Sequence, residues 1–343
     1  MAQLAGAAVV TIGLLFGTRY IYKRMPKAGS PLFKVGYALY TNTRLGLLYY
    51  KNDVRKAYRK YQGEGHSLIE PTVFNGLRIL PIAMSLDNYS YLITDERSNI
   101  SVLVDPSEPN AVQRVLDAER ITPTAILCTH KHWDHSGGNR EWKRRYDGIR
   151  VYGNPVDNVP DHTQDIADND MLEFGALQFT VYTTPGHTVG HVVFLLEGSP
   201  FSAPPCLFSG DHIFLAGAGR MFESTPATML NSLEKVLQLS DDTLIWPGHE
   251  YAEDNLQFAC HLEPNNRSAQ EKLQLVKDLR KSRKCTSPST LAEEKTYNPF
   301  LRVTEASMMA AVGTDKSDLS ADELHAETLQ QCRNMKDKFK YKL

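Results

Sequence analysis

The chain has 343 residues, 42% of them hydrophobic and 23% charged, which supports one large or two ordinary domains with a full core. This composition excludes low-complexity disorder and collagen, and no apolar run recurs that would suggest several membrane spans. The net charge of −2 is unevenly spread: residues 1–60 hold eleven lysines or arginines and one acid, and the remainder holds 27 basic and 39 acidic residues. The basic head suggests contact with an anionic surface, whereas the acidic body predicts no nucleic-acid partner.

The amino terminus begins with an uncharged apolar run. Residues 4–17 read LAGAAVVTIGLLFG, and basic residues follow this run rather than precede it, unlike the order in a signal peptide. We therefore expect an uncleaved membrane anchor over residues 1–22, with the rest of the chain, including the catalytic domain, facing the cytosol. The alternative is a mitochondrial presequence, because no acid precedes Asp53.

Residues 23–70 mix aromatic and basic side chains. This pattern is typical of a juxtamembrane segment that contacts membrane lipid, although a solvated basic helix has the same composition. Residues 62–65, with two glycines, predict a linker at its end.

From residue 76 the chain alternates short β-type runs with turn residues. Strands are predicted at 77–83, 89–94, 101–105, 124–129, 179–184, 192–197, 206–210 and 243–248. Apolar residues at helical spacing predict helices at 109–119, 226–239 and 264–282. After residue 250, capping boxes at Thr290 and Ser320 indicate further helices, the last of them reaching about Phe339. We therefore expect an α/β catalytic domain over 71–250 and a helical domain over 251–343.

The strongest motif follows the strand at 124–129 and reads THKHWDHSGGN. Side chains alternate along a strand, so His130, His132 and Asp134 can converge as the chain leaves the sheet, and the next turn brings His135 close. Three imidazoles and a carboxylate within six residues are typical ligands of zinc or a similar transition metal.

Three more candidate ligands follow other predicted strands. They are His187 in TPGHT, Asp211 in SGD and His249 in PGHE. Seven ligands are too many for one four-coordinate ion. Two ions fit, with His130, His132 and His187 on one, Asp134, His135 and His249 on the other, and Asp211 between them. A hydroxide held between two cations is a nucleophile at neutral pH, so this centre suits hydrolysis, with Asp134 as the catalytic residue that orients the nucleophile.

These motifs together resemble the metallo-β-lactamase superfamily, and most closely its glyoxalase II (hydroxyacylglutathione hydrolase) branch. The resemblance runs from about Gly76 to Lys340 and includes the segments STLAEE and YNPF in the carboxyl-terminal part. It implies an αββα sandwich followed by a helical domain, and the ligand assignment given above. It also implies two divalent ions, with zinc expected first and iron or manganese accepted by the same ligands.

The resemblance further implies how a glutathione thioester is bound. Arg220, Tyr251, Arg333 and Lys336 match the residues with which the branch holds glutathione, whose two carboxylates suit cationic partners. Phe222 stands where the branch has tyrosine, and His212 where it usually has threonine, so these departures bear on the substrate and the turnover rather than on the metal centre.

Two other functions are compatible with the sequence. A mononuclear-iron persulfide dioxygenase would need only His132, His187 and Asp211 as an open two-histidine, one-carboxylate face. A membrane-tethered scaffold would need no catalysis, but no metal ligand is missing. The intact second set of ligands favours the hydrolase.

Overall fold

The computed structural model describes residues 31–315 and 318–339, and the chain divides into two compact units, residues 1–49 and 50–343. The first unit contains helix α1 (Pro31–Asn42) and the beginning of helix α2 (Arg44–Tyr61). Val35 and Leu48 are more than half exposed on these helices.

In the part of the chain that the structure describes, no helix has both the length and the apolar character to cross a membrane. Helix α1 has 12 residues, and α2 carries seven charged residues among its 18, whereas a spanning helix needs about 20 mostly apolar residues. The predicted membrane-anchored localisation is therefore wrong for these residues, and neither membrane lipid as a partner nor the mitochondrial alternative is supported. The predicted anchor at residues 1–22 lies outside the described residues.

The second unit is built on two sheets. In the first sheet the strands lie side by side in chain order: β1 (Thr72–Val73), β2 (Leu77–Met84), β3 (Asn88–Asp95), β4 (Ile100–Val104), β5 (Ala125–Leu127), β6 (Arg150–Gly153) and β7 (Gln164–Asp165). Neighbours are antiparallel from β1 to β4 and parallel from β4 to β7.

The second sheet has the order β15-β14-β11-β10-β9-β8. Its strands are β8 (Met171–Phe174), β9 (Leu177–Thr183), β10 (Val192–Leu196), β11 (Cys206–Gly210), β14 (Leu244–Pro247) and β15 (Ser289–Thr290). Strands β11 and β14 are parallel, and the other pairs are antiparallel. A separate hairpin joins β12 (Ile213–Phe214) to β13 (Gly217–Ala218).

Helices connect and cover the sheets. They are α3 (Pro109–Glu119), α4 (Trp133–Ser136), α5 (Asn139–Arg145), α6 (Pro226–Leu237), α7 (Ala252–Leu262), α8 (Arg267–Lys281), α9 (Leu291–Tyr297), α10 (Ala306–Val312) and α11 (Ala321–Lys338), with 3-10 turns at Pro155–Asp157 and Ser199–Phe201.

The core has three layers of packing. Between the sheets, Ile79 and Tyr91 of the first sheet share one buried cluster with Phe194, Phe208 and Trp246 of the second. Outside the first sheet, α3 and α5 contribute Val112, Leu116 and Trp142. Outside the second sheet, α6, α7 and α11 contribute Leu233, Phe258 and Leu329. The predicted αββα sandwich with carboxyl-terminal helices is therefore confirmed.

Most predicted elements agree with the structure to within a few residues. The capping boxes at Thr290 and Ser320 form as expected, but the helix predicted from residue 264 begins at Arg267, because Asn266 caps it. One short strand, β15, follows residue 250 and pairs with β14, so strands continue slightly beyond the expected limit. The domain boundaries at 70 and 250 remain predictions.

Candidate metal centre

The seven predicted metal ligands lie in the segments that follow four strands, with Asp134 and His135 in the short helix α4 and the others in loops. His130, His132, Asp134 and His135 follow β5, His187 follows β9, Asp211 follows β11, and His249 follows β14. The structure brings them into two groups: His130, His132, His187 and Asp211 in the first, and Asp134, His135 and His249 in the second. We call these the first and second metal groups.

In the first metal group three imidazoles and one carboxylate face one point. His132 Nδ1 lies 3.0 Å from His130 Nε2 and 3.0 Å from His187 Nε2. His187 Nε2 lies 3.2 Å from Asp211 Oδ2. Ligands at about 2.1 Å from a tetrahedral zinc ion are about 3.4 Å apart, so this donor set has the separation that one cation requires.

The second metal group uses the other oxygen of Asp211. His135 Nε2 and His249 Nε2 are 3.4 Å apart, and they lie 3.2 Å and 3.3 Å from Asp211 Oδ1. Asp134 Oδ2 lies 3.5 Å from His249 Nε2. Asp211 Oδ1 is buried without a hydrogen-bond donor, a state that is costly unless a cation binds there. The residues therefore fit two cations that share Asp211.

The outer nitrogens of the first metal group are hydrogen-bonded. His187 Nδ1 lies 2.9 Å from the Arg220 carbonyl oxygen, which can only accept, so Nδ1 carries the proton and Nε2 presents its lone pair. His130 Nδ1 lies 3.0 Å from Thr129 Oγ1. Such partners fix the tautomer and the ring orientation of metal-binding histidines.

Carboxylates hold the outer side of the second metal group. Asp105 Oδ2 lies 2.8 Å from His135 Nδ1, and Asp87 Oδ1 lies 2.8 Å from His249 Nδ1. The side-chain amide of Asn88 donates to Asp134 Oδ2 at 3.2 Å. Sequence reasoning did not foresee these three residues. Their position could have indicated them, since Asp105 follows β4, and Asp87 and Asn88 lie at the start of the neighbouring strand β3.

Asp157 is a further residue that sequence reasoning missed. Its Oδ2 accepts from the Lys131 backbone amide at 2.7 Å, and its Oδ1 accepts from the Gly190 amide at 3.0 Å. Asp157 therefore connects the loop of His130 and His132 to the loop of His187. Burial raises the pKa of its carboxyl.

The two groups differ in their protonation. Burial, reinforced by neighbouring imidazoles, lowers the pKa of His130 and His132 well below the ordinary histidine value. Burial also opposes protonation of His135, but the carboxylates of Asp211, Asp105 and Asp134 outweigh it and raise its pKa to about 10. The surplus of carboxylate charge around the second group is the kind of charge that a divalent cation neutralises.

Two glycines permit the close approach of these loops. Gly210 has φ +49°, and a Cβ there would lie 2.6 Å from Thr129 Oγ1. A Cβ at Gly248 would lie 2.7 Å from the His135 ring and 2.9 Å from Asp211 Oδ1. Space therefore requires glycine before both Asp211 and His249, and at Gly210 the left-handed backbone conformation favours glycine as well.

His191 and His212 lie beside the metal groups. His191 Nε2 accepts from the Asp211 backbone amide at 3.2 Å, and its Nδ1 pairs with Thr184 Oγ1 at 2.9 Å, so this residue supports the loop that carries Asp211. His212 is fully buried, and this burial lowers its pKa to about 3.

Three of the predicted substrate residues lie together. Arg220 Nε and an Arg333 terminal nitrogen contact the same oxygen of Asp337, at 3.1 Å and 2.8 Å. Lys336 lies one turn along α11 from Cys332, and it donates to the Asp254 carbonyl at 2.9 Å. Burial, followed by repulsion from Arg333, lowers the pKa of Lys336 to about 7.

The aromatic residues cover the metal ligands. Tyr251 stacks on His249, with ring centres 4.6 Å apart and planes within 9°. Phe222 lies 5.1 Å from the His187 ring and 5.8 Å from the His132 ring. Phe222 therefore stands directly beside the first metal group, where the position can influence a bound substrate.

Two sequence-family models match adjoining parts of the chain, and the boundary between them falls directly after the metal ligand His249. The sequence model of the metallo-beta-lactamase superfamily matches residues 86–249. The model described as hydroxyacylglutathione hydrolase C-terminus matches residues 250–339.

Whole-length relatives extend this result. A hydroxyacylglutathione hydrolase of Synechocystis is 38% identical over 255 residues, and those of Synechococcus and Photobacterium profundum are each 40% identical, over 259 and 253 residues. Each alignment covers 74% of this chain and 96% of the relative. Because these relatives are matched almost completely within three quarters of this chain, they give no support to the predicted membrane-anchored localisation. The extent and identity of the alignments place this chain in the hydroxyacylglutathione hydrolase branch of the metallo-β-lactamase superfamily, and it belongs to that family.

Proposed function

We propose that the chain is a binuclear metal-dependent hydrolase that cleaves glutathione thioesters. The observation that carries this proposal is the position of Asp211, whose two oxygens face two separate groups of ligands. The names of the relatives supply the substrate class, and the cationic cluster of Arg220 and Arg333 supplies a place for its carboxylates.

The two groups of donors suit zinc best, because imidazole and carboxylate ligands in fours are typical of zinc sites. When bound, two such cations supply a water-derived nucleophile at neutral pH and polarise the thioester carbonyl. The protein holds each ligand by an outer hydrogen bond, so the geometry is set before substrate arrives.

Asp134 is the proposed catalytic residue. Its side chain is 24% exposed, more than the other ligands in its group, so it reaches the space that a substrate occupies. Burial opposes ionisation of Asp134, but the neighbouring His135 and His249 hold its pKa far below the usual range. The resulting carboxylate can accept a hydrogen bond from the attacking water and orient it. The thiolate that leaves is stable, so the site needs no strong acid.

The substrate residues have distinct proposed tasks. Arg220, Arg333 and Lys336 bind the carboxylates of the glutathione part, because charge-assisted hydrogen bonds to carboxylates are strong. The ring of Tyr251 stacks on His249 and so lies beside the second metal group, where it can contact substrate. We assign the catalytic domain to residues 71–250 and the substrate-binding helical domain to residues 251–343.

The test combines metal content with turnover on the purified full chain. Mass spectrometry should find about two metal ions per chain, with zinc predominating, and S-D-lactoylglutathione should be hydrolysed. A single iron with oxygen uptake on glutathione persulfide would overturn the proposal in favour of a dioxygenase. Two metals without hydrolysis of any glutathione thioester would overturn the substrate class.

A further inference from the structure

We propose that residues 50–67 form a brace that positions the outer partners of the second metal group, with Tyr61 and His66 as positioning residues. The brace consists of helix α2 from Tyr50 onward and the loop that follows it. It precedes the residues that the family models match, which begin at residue 86. This inference rests on the proposed two-metal centre and adds to it a part of this chain outside those models.

The brace contacts the turn between β2 and β3 at two points. The Tyr61 hydroxyl donates to the Leu86 carbonyl oxygen at 3.1 Å. His66 Nε2 lies 2.8 Å from the Asn88 carbonyl oxygen. Between these two carbonyls lies Asp87, so the hydrogen bonds hold the backbone on both sides of it.

This turn carries two of the outer partners of the second metal group. Asp87 contacts His249 Nδ1, and Asn88 donates to Asp134 Oδ2. The backbone of Asn88 also forms a bridge with His249. A shift of the turn would therefore move the partners of two metal ligands together, and the brace opposes such a shift.

His66 is itself held in one hydrogen-bonding state. A carbonyl oxygen can only accept, so Nε2 carries the proton, and Nδ1 accepts from Ser67 Oγ at 2.9 Å. Arg280 donates to the His66 carbonyl at 2.9 Å. The residue is 3% exposed and its ring stacks edge-on against Tyr89, with centres 4.9 Å apart. The donor to Asn88 is therefore fixed in place rather than free to rotate away.

The other end of the brace lies beside the metal-binding motif. The Tyr50 hydroxyl donates to Ser107 Oγ at 2.9 Å, two residues after Asp105. Its ring is so close to Gly137 that a Cβ there would lie 3.1 Å from it, and Gly137 follows His135 by two residues. The brace thus reaches both sides of the second metal group, whereas the first group takes its outer contacts from Thr129 and the Arg220 carbonyl.

The test measures metal retention in the full chain as chelator is added. The double variant Tyr61→Phe with His66→Leu removes both donors to the turn. We expect it to release one metal per chain at a chelator concentration about tenfold lower than the wild type, since losing outer partners typically weakens metal binding about 10- to 100-fold. The other metal should be released at the wild-type concentration.

Three controls separate positioning from general destabilisation. His66→Gln keeps a side-chain N–H for the Asn88 carbonyl and should retain both metals. Tyr58→Phe removes a hydroxyl from the same helix at a residue that is 59% exposed, and it should have no effect. The third control starts from His249→Ala, which already weakens the second site. Adding Tyr61→Phe and His66→Leu to this variant should not change the chelator concentration that releases the remaining metal.

The outcomes are distinct. Equal retention of both metals by the double variant and the wild type would overturn the brace, as would equal weakening of both metals. A wild-type chain that binds only one metal would overturn the proposed two-metal function and the brace with it. The brace would be supported if the double variant released one metal early and the His66→Gln variant retained both metals as the wild type does.

Discussion

The two metal groups share Asp211 but are built differently. The first is enclosed: burial lowers the pKa of two of its imidazoles, His130 and His132, and its outer partners are a hydroxyl and a backbone carbonyl. The second is surrounded by carboxylates, and Asp87 and Asp134 are 40% and 24% exposed. The first group is therefore a ready set of neutral donors, whereas the second depends on charge and on a turn that other elements must hold.

Asp211→Ala should have the largest effect, because it removes the ligand common to both groups. We expect thioester hydrolysis to fall by at least about 10³-fold, the scale of removing a preorganised charge-stabilising group. Metal content should fall at both sites, as measured by mass spectrometry. The exposed Asp165→Ala variant should retain both properties. An Asp211→Ala chain that still held two ions would show that the two groups do not share a ligand.

Outer carboxylates provide a sharper test of the comparison. Asp87 contacts only the second group through His249, so Asp87→Asn should weaken one metal by about 10- to 100-fold. Asp105 contacts His135 and also Thr129, the partner of His130, so Asp105→Asn should weaken both. Chelator titration with mass spectrometry distinguishes these results. The same single-metal loss in both variants would show that Asp105 serves the second group alone.

Lys336 predicts a pH dependence of substrate binding. Its lowered pKa of about 7 means that Lys336 is charged below about pH 7 and loses its charge as the pH rises above that value. We expect KM for S-D-lactoylglutathione to increase by about tenfold from pH 6 to pH 9, because a charge-assisted hydrogen bond is lost. In Lys336→Arg the charge persists, and the pH dependence should flatten. An unchanged profile in that variant would exclude Lys336 as its source.

Phe222→Tyr should have the smallest effect. The change adds one hydroxyl beside the His132 and His187 rings, where the resembling family carries tyrosine. A new hydrogen bond to substrate should lower KM by about twofold to tenfold, with metal content unchanged. Phe222→Leu is the matched control, and it should not lower KM. Steady-state kinetics would contradict the prediction if both variants behaved alike.

The metal ligands could be predicted from sequence because each follows a strand that has a clear pattern. Buried runs such as those ending before His130 and His249 can be recognised one at a time. The structure adds that these strands, β5 and β14, belong to different sheets whose loops meet at the metal groups. The same rule could have indicated Asp105. The αββα layering followed from the family resemblance, and the packing clusters confirm it.

Other features depended on contacts that no local pattern encodes. Asp157 lies in a short 3-10 turn and acts through two backbone amides far away in the chain. Arg220 and Arg333 were expected to bind substrate carboxylates, yet Arg333 is 9% exposed and already shares an acid with Arg220. The apolar amino terminus suggested an anchor, but the described helices that follow it cannot span a bilayer. Burial and pairing of this kind arise from tertiary packing, which overrides local composition.

Arg220 combines two tasks on different atoms. Its carbonyl oxygen fixes His187 through Nδ1, and its guanidinium faces Asp337 and the proposed carboxylate site. Every residue type has a carbonyl, so the first task survives any replacement of the side chain that keeps the loop in place. The enzyme can therefore change the charge or length of this side chain, and with it the compounds it accepts, without rebuilding the machinery that breaks the bond. Position 220 is thus a point at which substrate range can diverge among relatives while the reaction stays the same.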